Sequence, residues 1–279
     1  MLRLLCFLFL VNGSLSALTD FEKIDNELQR AGFPPSCKRI NFATHYLKNP
    51  YVPDDVWESA KPYFLPEDHP IKAKLDKIFK KRVTLNRKTL KKAGFANTKP
   101  GKYSKTIVTS HKVLKGYIIK LFTDDVAVDD WIKLKARVKG AREINKVIQN
   151  YGFQSWFVVP QKWLYPLPAD PSPPEGYQRH HFILVAERMN ILSQGANEAK
   201  WRSSFITPEK LTAFFIILTE TGLQDGIYPF NVPITKDKKI AFIDTELCHH
   251  WTIPLVKLKR YISTEMGLFW QKLMDQGGP

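Results

Sequence analysis

Apolar residues recur at helical spacing across residues 129–151, at Trp131, Leu134, Val138, Ala141, Ile144 and Ile148, and predict one long amphipathic helix. A second helix is announced by Thr207 as N-cap and Pro208 at the first helical position; it turns Leu211, Phe214, Phe215 and Leu218 inward and stops at Gly222. Strand-like runs lie at 116–122, where Lys120 is the only charge, and at 181–189, which ends in the charged corner Glu187-Arg188. Residues 231–246 read as a β-hairpin with its polar turn at Lys236 to Lys239. The midpoint between Asn231 and Asp244 falls in that turn, so near-symmetric pairing sets the two residues opposite each other. Shorter signals predict a helix at 19–30, opened by the capping box Thr19 to Glu22 and ended by Gly32, Pro34 and Pro35. Another is predicted at 70–79, with Ile71, Leu75, Ile78 and Phe79 inward. Prolines 50, 53, 62, 66 and 70 interrupt the early chain, and residues 165–176 form a proline-rich surface loop.

With 279 residues, 44% of them hydrophobic and 13% aromatic, the chain can bury a full core, and one composite unit is expected. Its net charge of +15 is concentrated: residues 71–120 hold 16 basic residues and the single acid Asp76. Such a run either forms a solvated face or meets something acidic, such as phosphates, an anionic membrane surface or an acidic protein. Aromatics such as Phe79, Phe95 and Tyr103 are few among the charges, and zinc-ligand, helix-turn-helix and RNA-binding signatures are lacking. No specific nucleic-acid recognition is therefore expected.

Met1 to Arg3, the apolar run Leu4 to Val11 and the small residues Ser14 to Ser16 have the parts of a secretory signal peptide spanning 1–17, which implies export. Loss of that leader removes Cys6 and leaves Cys37 and Cys248, enough for one bridge and too few for a disulfide framework. His249 and His250 follow Cys248 directly, a spacing that cannot wrap a tetrahedral metal.

The amide of Asn231 and the carboxylate of Asp244 form an oxygen-donor pair that suits Mg²⁺, a hard cation that takes few protein ligands and leaves its other positions to water and phosphate. An Asp at the end of an apolar strand also serves as a strand terminator or helix cap. The order strand with Lys, helix, strand, charged corner, helix, Asn and Asp resembles the protein-kinase-like superfamily, and Asp244-Thr245-Glu246 resembles the D-x-E of small-molecule kinases. The resemblance implies an α+β, two-lobed fold with a shortened C-terminal lobe. A basic helical extension would occupy 18–103, an N-lobe about 104–187 and a C-lobe about 188–279. It also implies ATP and Mg²⁺ as cofactors: Asn231 and Asp244 as metal ligands, Lys120 on the phosphates paired with Glu143 of the long helix, and Glu187 to Met189 as the hinge that meets the adenine. Gly140, one turn before Glu143, marks where backbones can approach.

Three features depart from that pattern. The nearest acid upstream of Asn231 is Asp225, six residues before it, where a kinase loop places its base five before; position five is Gly226. Either the loop holds one extra residue and Asp225 is the catalytic base, or that position is empty. Residues 104–114 contain no glycine to cradle phosphates. Little chain follows Asp244, so a peptide substrate is not implied. Two expectations result: an exported ATP- and Mg²⁺-dependent phosphotransferase with an unspecified acceptor, or a noncatalytic pseudokinase that docks an acidic partner or membrane through its basic segment.

Overall fold

In the computed structural model, residues 46–100, 105–128 and 131–279 are described; the expected leader, the 19–30 helix and Cys37 lie outside them. The helices are α1 (Asp54–Ala60), α2 (Lys72–Ile78), α3 (Arg87–Lys92), α4 (Trp131–Asn150), α5 (Gln194–Trp201), α6 (Pro208–Thr221) and α7 (Thr264–Asp275). The strands are β1 (Phe95–Ala96), β2 (Ile107–His111), β3 (Tyr117–Leu121), β4 (Phe157–Val158), β5 (Lys162–Pro166), β6 (Phe182–Glu187) and β7 (Ile240–Ala241). The architecture is mixed α+β, and no helix among the described residues is long and apolar enough to cross a membrane.

Five strands form an antiparallel sheet in the order β1-β2-β3-β6-β5. Every residue of the run Phe182 to Ala186 is buried, because both faces of the sheet are covered. Phe182, Leu184 and Ala186 meet Leu134 and Val138 of α4, whereas Ile183 and Val185 pack with Leu75, Phe79, Leu90 and Phe95 on the other face. Side chains alternate along a strand. Lys120, opposite Leu184, and Lys162, opposite Ala186, therefore share the α4 face.

The predicted 70–79 helix is observed as α2, and its apolar side builds this second face. Between 46 and 100 the chain is part of the sheet's own packing. Thr44–Pro279 forms one compact unit. Arg82 is locked there by a fully buried ion pair with Asp124, with Nε 2.8 Å from one carboxylate oxygen and Nη2 2.7 Å from the other. Other basic residues of the segment, among them Lys77, Lys80, Lys91, Lys92 and Lys112, lie exposed.

A second core gathers Ala141, Ile144 and Ile148 of α4 with Phe214 and Leu218 of α6 and Trp270 of α7. α4 thus packs against the sheet with its first half and against α6 with its second. α6 begins and ends as the sequence predicts: Thr207 Oγ1 accepts from the Lys210 amide, Pro208 opens the helix, and Gly222 closes it at φ +59°. The proline-rich stretch differs from expectation, because its first residues, Tyr165 and Pro166, belong to β5. β4 pairs in parallel with β7, outside the main sheet.

Candidate functional site

A cleft of about 620 Å³ opens beside β3, lined by Val108, Gly116, Ile118, Lys120, Ala186, the segment Glu187 to Ile191, and Ile243. β6 delivers its far wall, because the chain leaves the sheet at Glu187 and crosses to the second core: the Arg188 amide donates to Gly116 O, and the Leu192 amide to Ile234 O. Glu187 and Met189 both line the cleft. The Glu187 carboxylate is held by the Gln161 amide at 2.9 Å.

Lys120 is 8% exposed, and its Nζ stands 3.9 Å from Asp244 Oδ2, within ion-pair range. Burial lowers its pKa, with Asp244 acting in the opposite sense. Arg137 of α4 reaches the same carboxylate, with Nε 3.3 Å from Oδ1, and also pairs with Glu246. Burial works against ionisation of Asp244, but Lys120, Arg137 and Lys162 together hold its carboxyl below the ordinary range.

Glu143 does not take the expected place beside Lys120. It lies half-exposed two helical turns beyond Arg137, near Cys248, and the inward position of α4 facing Asp244 is filled by a guanidinium. Gly140 meets expectation: a Cβ there would fall 2.1 Å from Thr245 O and 2.8 Å from Cys248 Sγ, so α4 and the Asp244-Thr245-Glu246 backbone are in contact. Cys248 is a buried free thiol whose pKa burial pushes up to about 12.

The hairpin forms, but one position out of the expected register. Ile240 bridges Ile234, the Ala241 amide donates to Pro233 O, and the Ile243 amide donates to Asn231 O at 3.1 Å. Asn231 therefore faces Ile243 and not Asp244. The physical reason is the turn, a five-residue closure in which the Thr235 amide bonds Lys239 O and Lys238 adopts φ +62°, centring the ribbon on Asp237.

Asp225 is brought to Asn231 despite the longer spacing. Asn231 Nδ2 donates to Asp225 O at 3.0 Å and to Asp225 Oδ2 at 3.1 Å. A side chain at position 226 would crowd its neighbours: a Cβ on Gly226 would lie 2.6 Å from side-chain atoms of both Leu218 and Leu223. Burial first, and the charge of Asp244 second, push the Asp225 carboxyl up to about 6. Asp225 Oδ1 and Arg137 Nη1 are buried without a hydrogen-bond partner among the described residues.

Arg137, Lys162 and Thr245 escaped the sequence reading. Lys162, 3% exposed, donates to Thr245 Oγ1 at 2.7 Å and to Ile243 O at 3.2 Å, and Thr245 Oγ1 donates to Arg137 O at 2.6 Å. A charge at 137, three residues after Leu134 on the apolar stripe, was the signal for the first. Lys162 was masked by the neighbouring prolines.

The acceptor side chains of Asp225, Asn231 and Asp244 all present oxygen, and Asp225 Oδ1 has no protein donor among the described residues. That set fits a hard divalent cation sharing its shell with phosphate. The described residues contain no group of three or more His, Cys, Asp and Glu that would hold a metal without such help. No protein-family model matches the chain, and a search of curated proteins found no match to it.

Proposed function

We propose that this protein is a kinase-like phosphotransferase that takes ATP with Mg²⁺ into the cleft beside β3. The observation that carries the reading is Lys120 facing Asp244 across 3.9 Å at the end of a largely apolar cleft. Apolar walls from Val108, Ile118, Ala186 and Ile243 suit a purine, and the segment Glu187 to Met189 offers it backbone groups. Lys120 would meet the phosphates, and Asn231 and Asp244 would hold the metal. Mg²⁺, when bound, neutralises charge between the terminal phosphates.

Asp225 has the features of a general base in this reading. Its carboxyl, at about 6, is ionised at neutral pH yet close enough to neutrality to accept a proton, and Asn231 fixes its direction. The two-lobed description follows from the same reading, with the sheet and the first half of α4 as one lobe and the α6–α7 core as the other. Export through the leader at 1–17 belongs to the proposal as well. The acceptor is a hydroxyl compound of unspecified class.

A second reading, a noncatalytic kinase-like protein that docks an acidic partner or anionic membrane, is favoured by Arg137. Its guanidinium already neutralises Asp244 and Glu246. One experiment separates the two. A fluorescent ATP analogue should bind the protein only with Mg²⁺, be displaced by ATP, and lose most of its affinity in Lys120→Met. Failure of the wild type to bind it leaves the noncatalytic reading.

A further inference from the structure

A lysine on a strand normally carries its ammonium out to water along the flexible stem. Lys162 cannot, because α4 covers its face of the sheet, and it ends 3% exposed. Its amine is spent on Ile243 O and Thr245 Oγ1, the residues on either side of Asp244. Thr245, fully buried, passes the connection on: its hydroxyl accepts from Lys162 and donates to Arg137 O, so both its roles are fixed. Gly140 brings the α4 backbone against Thr245 O, and Asn231 O takes the Ile243 amide. Residues 243–245 are thus gripped by β5, by α4 and by the opposing hairpin strand. The Asp244 carboxylate is aimed by this grip toward Lys120 and Arg137.

We propose that Lys162 is a positioning residue of the nucleotide–metal site: it touches neither nucleotide nor metal, and it sets Asp244 through the Lys162–Thr245–Arg137 chain. The inference rests on the phosphotransferase reading above. Packing alone does not call for an amine at this position, since an unbranched apolar side chain of similar length fills the same space; what it loses is the donor to two buried acceptors, at a cost in stability. What an amine adds is direction. Groups that orient a metal ligand from behind change metal affinity without contacting the ion.

Lys162→Met and Thr245→Val, alone and combined, test this by the Mg²⁺ concentration that gives half-maximal thermal stabilisation by ADP. Urea midpoints are recorded separately. We expect each single variant to raise that Mg²⁺ concentration about tenfold, with the stabilisation reached at saturating Mg²⁺ unchanged. The double variant should be no worse than the worse single one, because both belong to one chain of contacts. Thr245→Val keeps the side-chain shape and carries the measurement if Lys162→Met does not fold. Variants that lower only the urea midpoint and keep the wild-type Mg²⁺ requirement overturn the proposal, as do fully additive effects. Wild type that is indifferent to MgADP sinks the nucleotide reading and this inference together; wild type that responds, with variants that respond alike, sinks this inference alone.

Discussion

Lys120 of β3 and Asp244 face each other at 3.9 Å, and Arg137 of α4 holds the other oxygen of that carboxylate at 3.3 Å. The acid is therefore balanced between a sheet and a helix, and the helix contributes a cation where the family resemblance suggests an acid. Glu143→Gln should accordingly be silent in both urea stability and nucleotide binding. Arg137→Met strips two carboxylates of their donor and should cost about 1–3 kcal/mol in urea unfolding.

Gly140 and Gly267 make opposite predictions from the same substitution. Alanine is the better helix former by about 1 kcal/mol, yet a Cβ at 140 would sit 2.1 Å from Thr245 O, whereas nothing lies within 4 Å of one at 267. Gly140→Ala should destabilise by about 1–3 kcal/mol and weaken MgATP binding. Gly267→Ala, within α7, should stabilise by about 0.5–1 kcal/mol and leave binding alone. Paired urea titrations decide both.

Arg82 and Asp124 are both fully buried, and Arg82 also donates to Pro168 O and His180 O. Removing the guanidinium leaves an unpaired buried carboxylate. Arg82→Met should cost about 3–5 kcal/mol by chemical denaturation. Asp54→Asn, which breaks the exposed pair with Lys48, should show no measurable loss.

Asp225 makes stability depend on pH in a defined direction. Its carboxyl is raised to about 6 in the folded protein from an ordinary 3.8, so between those values the folded state holds more protons than the unfolded one. Stability from this group falls as pH rises through that window and stays lower above it. Asp225→Asn should therefore stabilise the protein at pH 7.5 by about 1–2 kcal/mol, allowing for partial exposure, with the gain disappearing below about pH 4. Melting curves across pH 3.5–8 check the sign. If Asp225 is the base, the wild-type transfer rate climbs through a midpoint near 6 that the variant lacks.

The legible parts of the fold were those where one local rule sufficed. Thr207-Pro208 and Gly222 bracket α6 through capping alone, and the apolar stripe of α4 survives in the structure from Leu134 to Ile148. β5 was hidden because Pro160 and Pro166 bound it and it is buried throughout, so no alternation marks it. The hairpin register slipped by one position because the Thr235 hydroxyl draws that residue into the turn, accepting from the Lys239 amide and donating to its carbonyl. Ile107–His111, within the glycine-free stretch, is strand β2, where glycine is disfavoured. Lys120, Asp225, Asn231 and Asp244 could be named from spacing, but their scaffold could not. Lys162, Thr245 and Arg137 meet only through pairings more than 80 residues apart, which no local pattern encodes.

Thermal melting of the protein with and without millimolar MgATP, for wild type and Asp244→Asn side by side, tests the proposed nucleotide site most directly. A ligand that binds only the folded state raises the melting midpoint in proportion to the logarithm of its saturation. The site described here predicts a midpoint several degrees higher for wild type with MgATP, little change with ATP in EDTA, and no MgATP-dependent rise in the variant. Equal midpoints for wild type under all three conditions would contradict it.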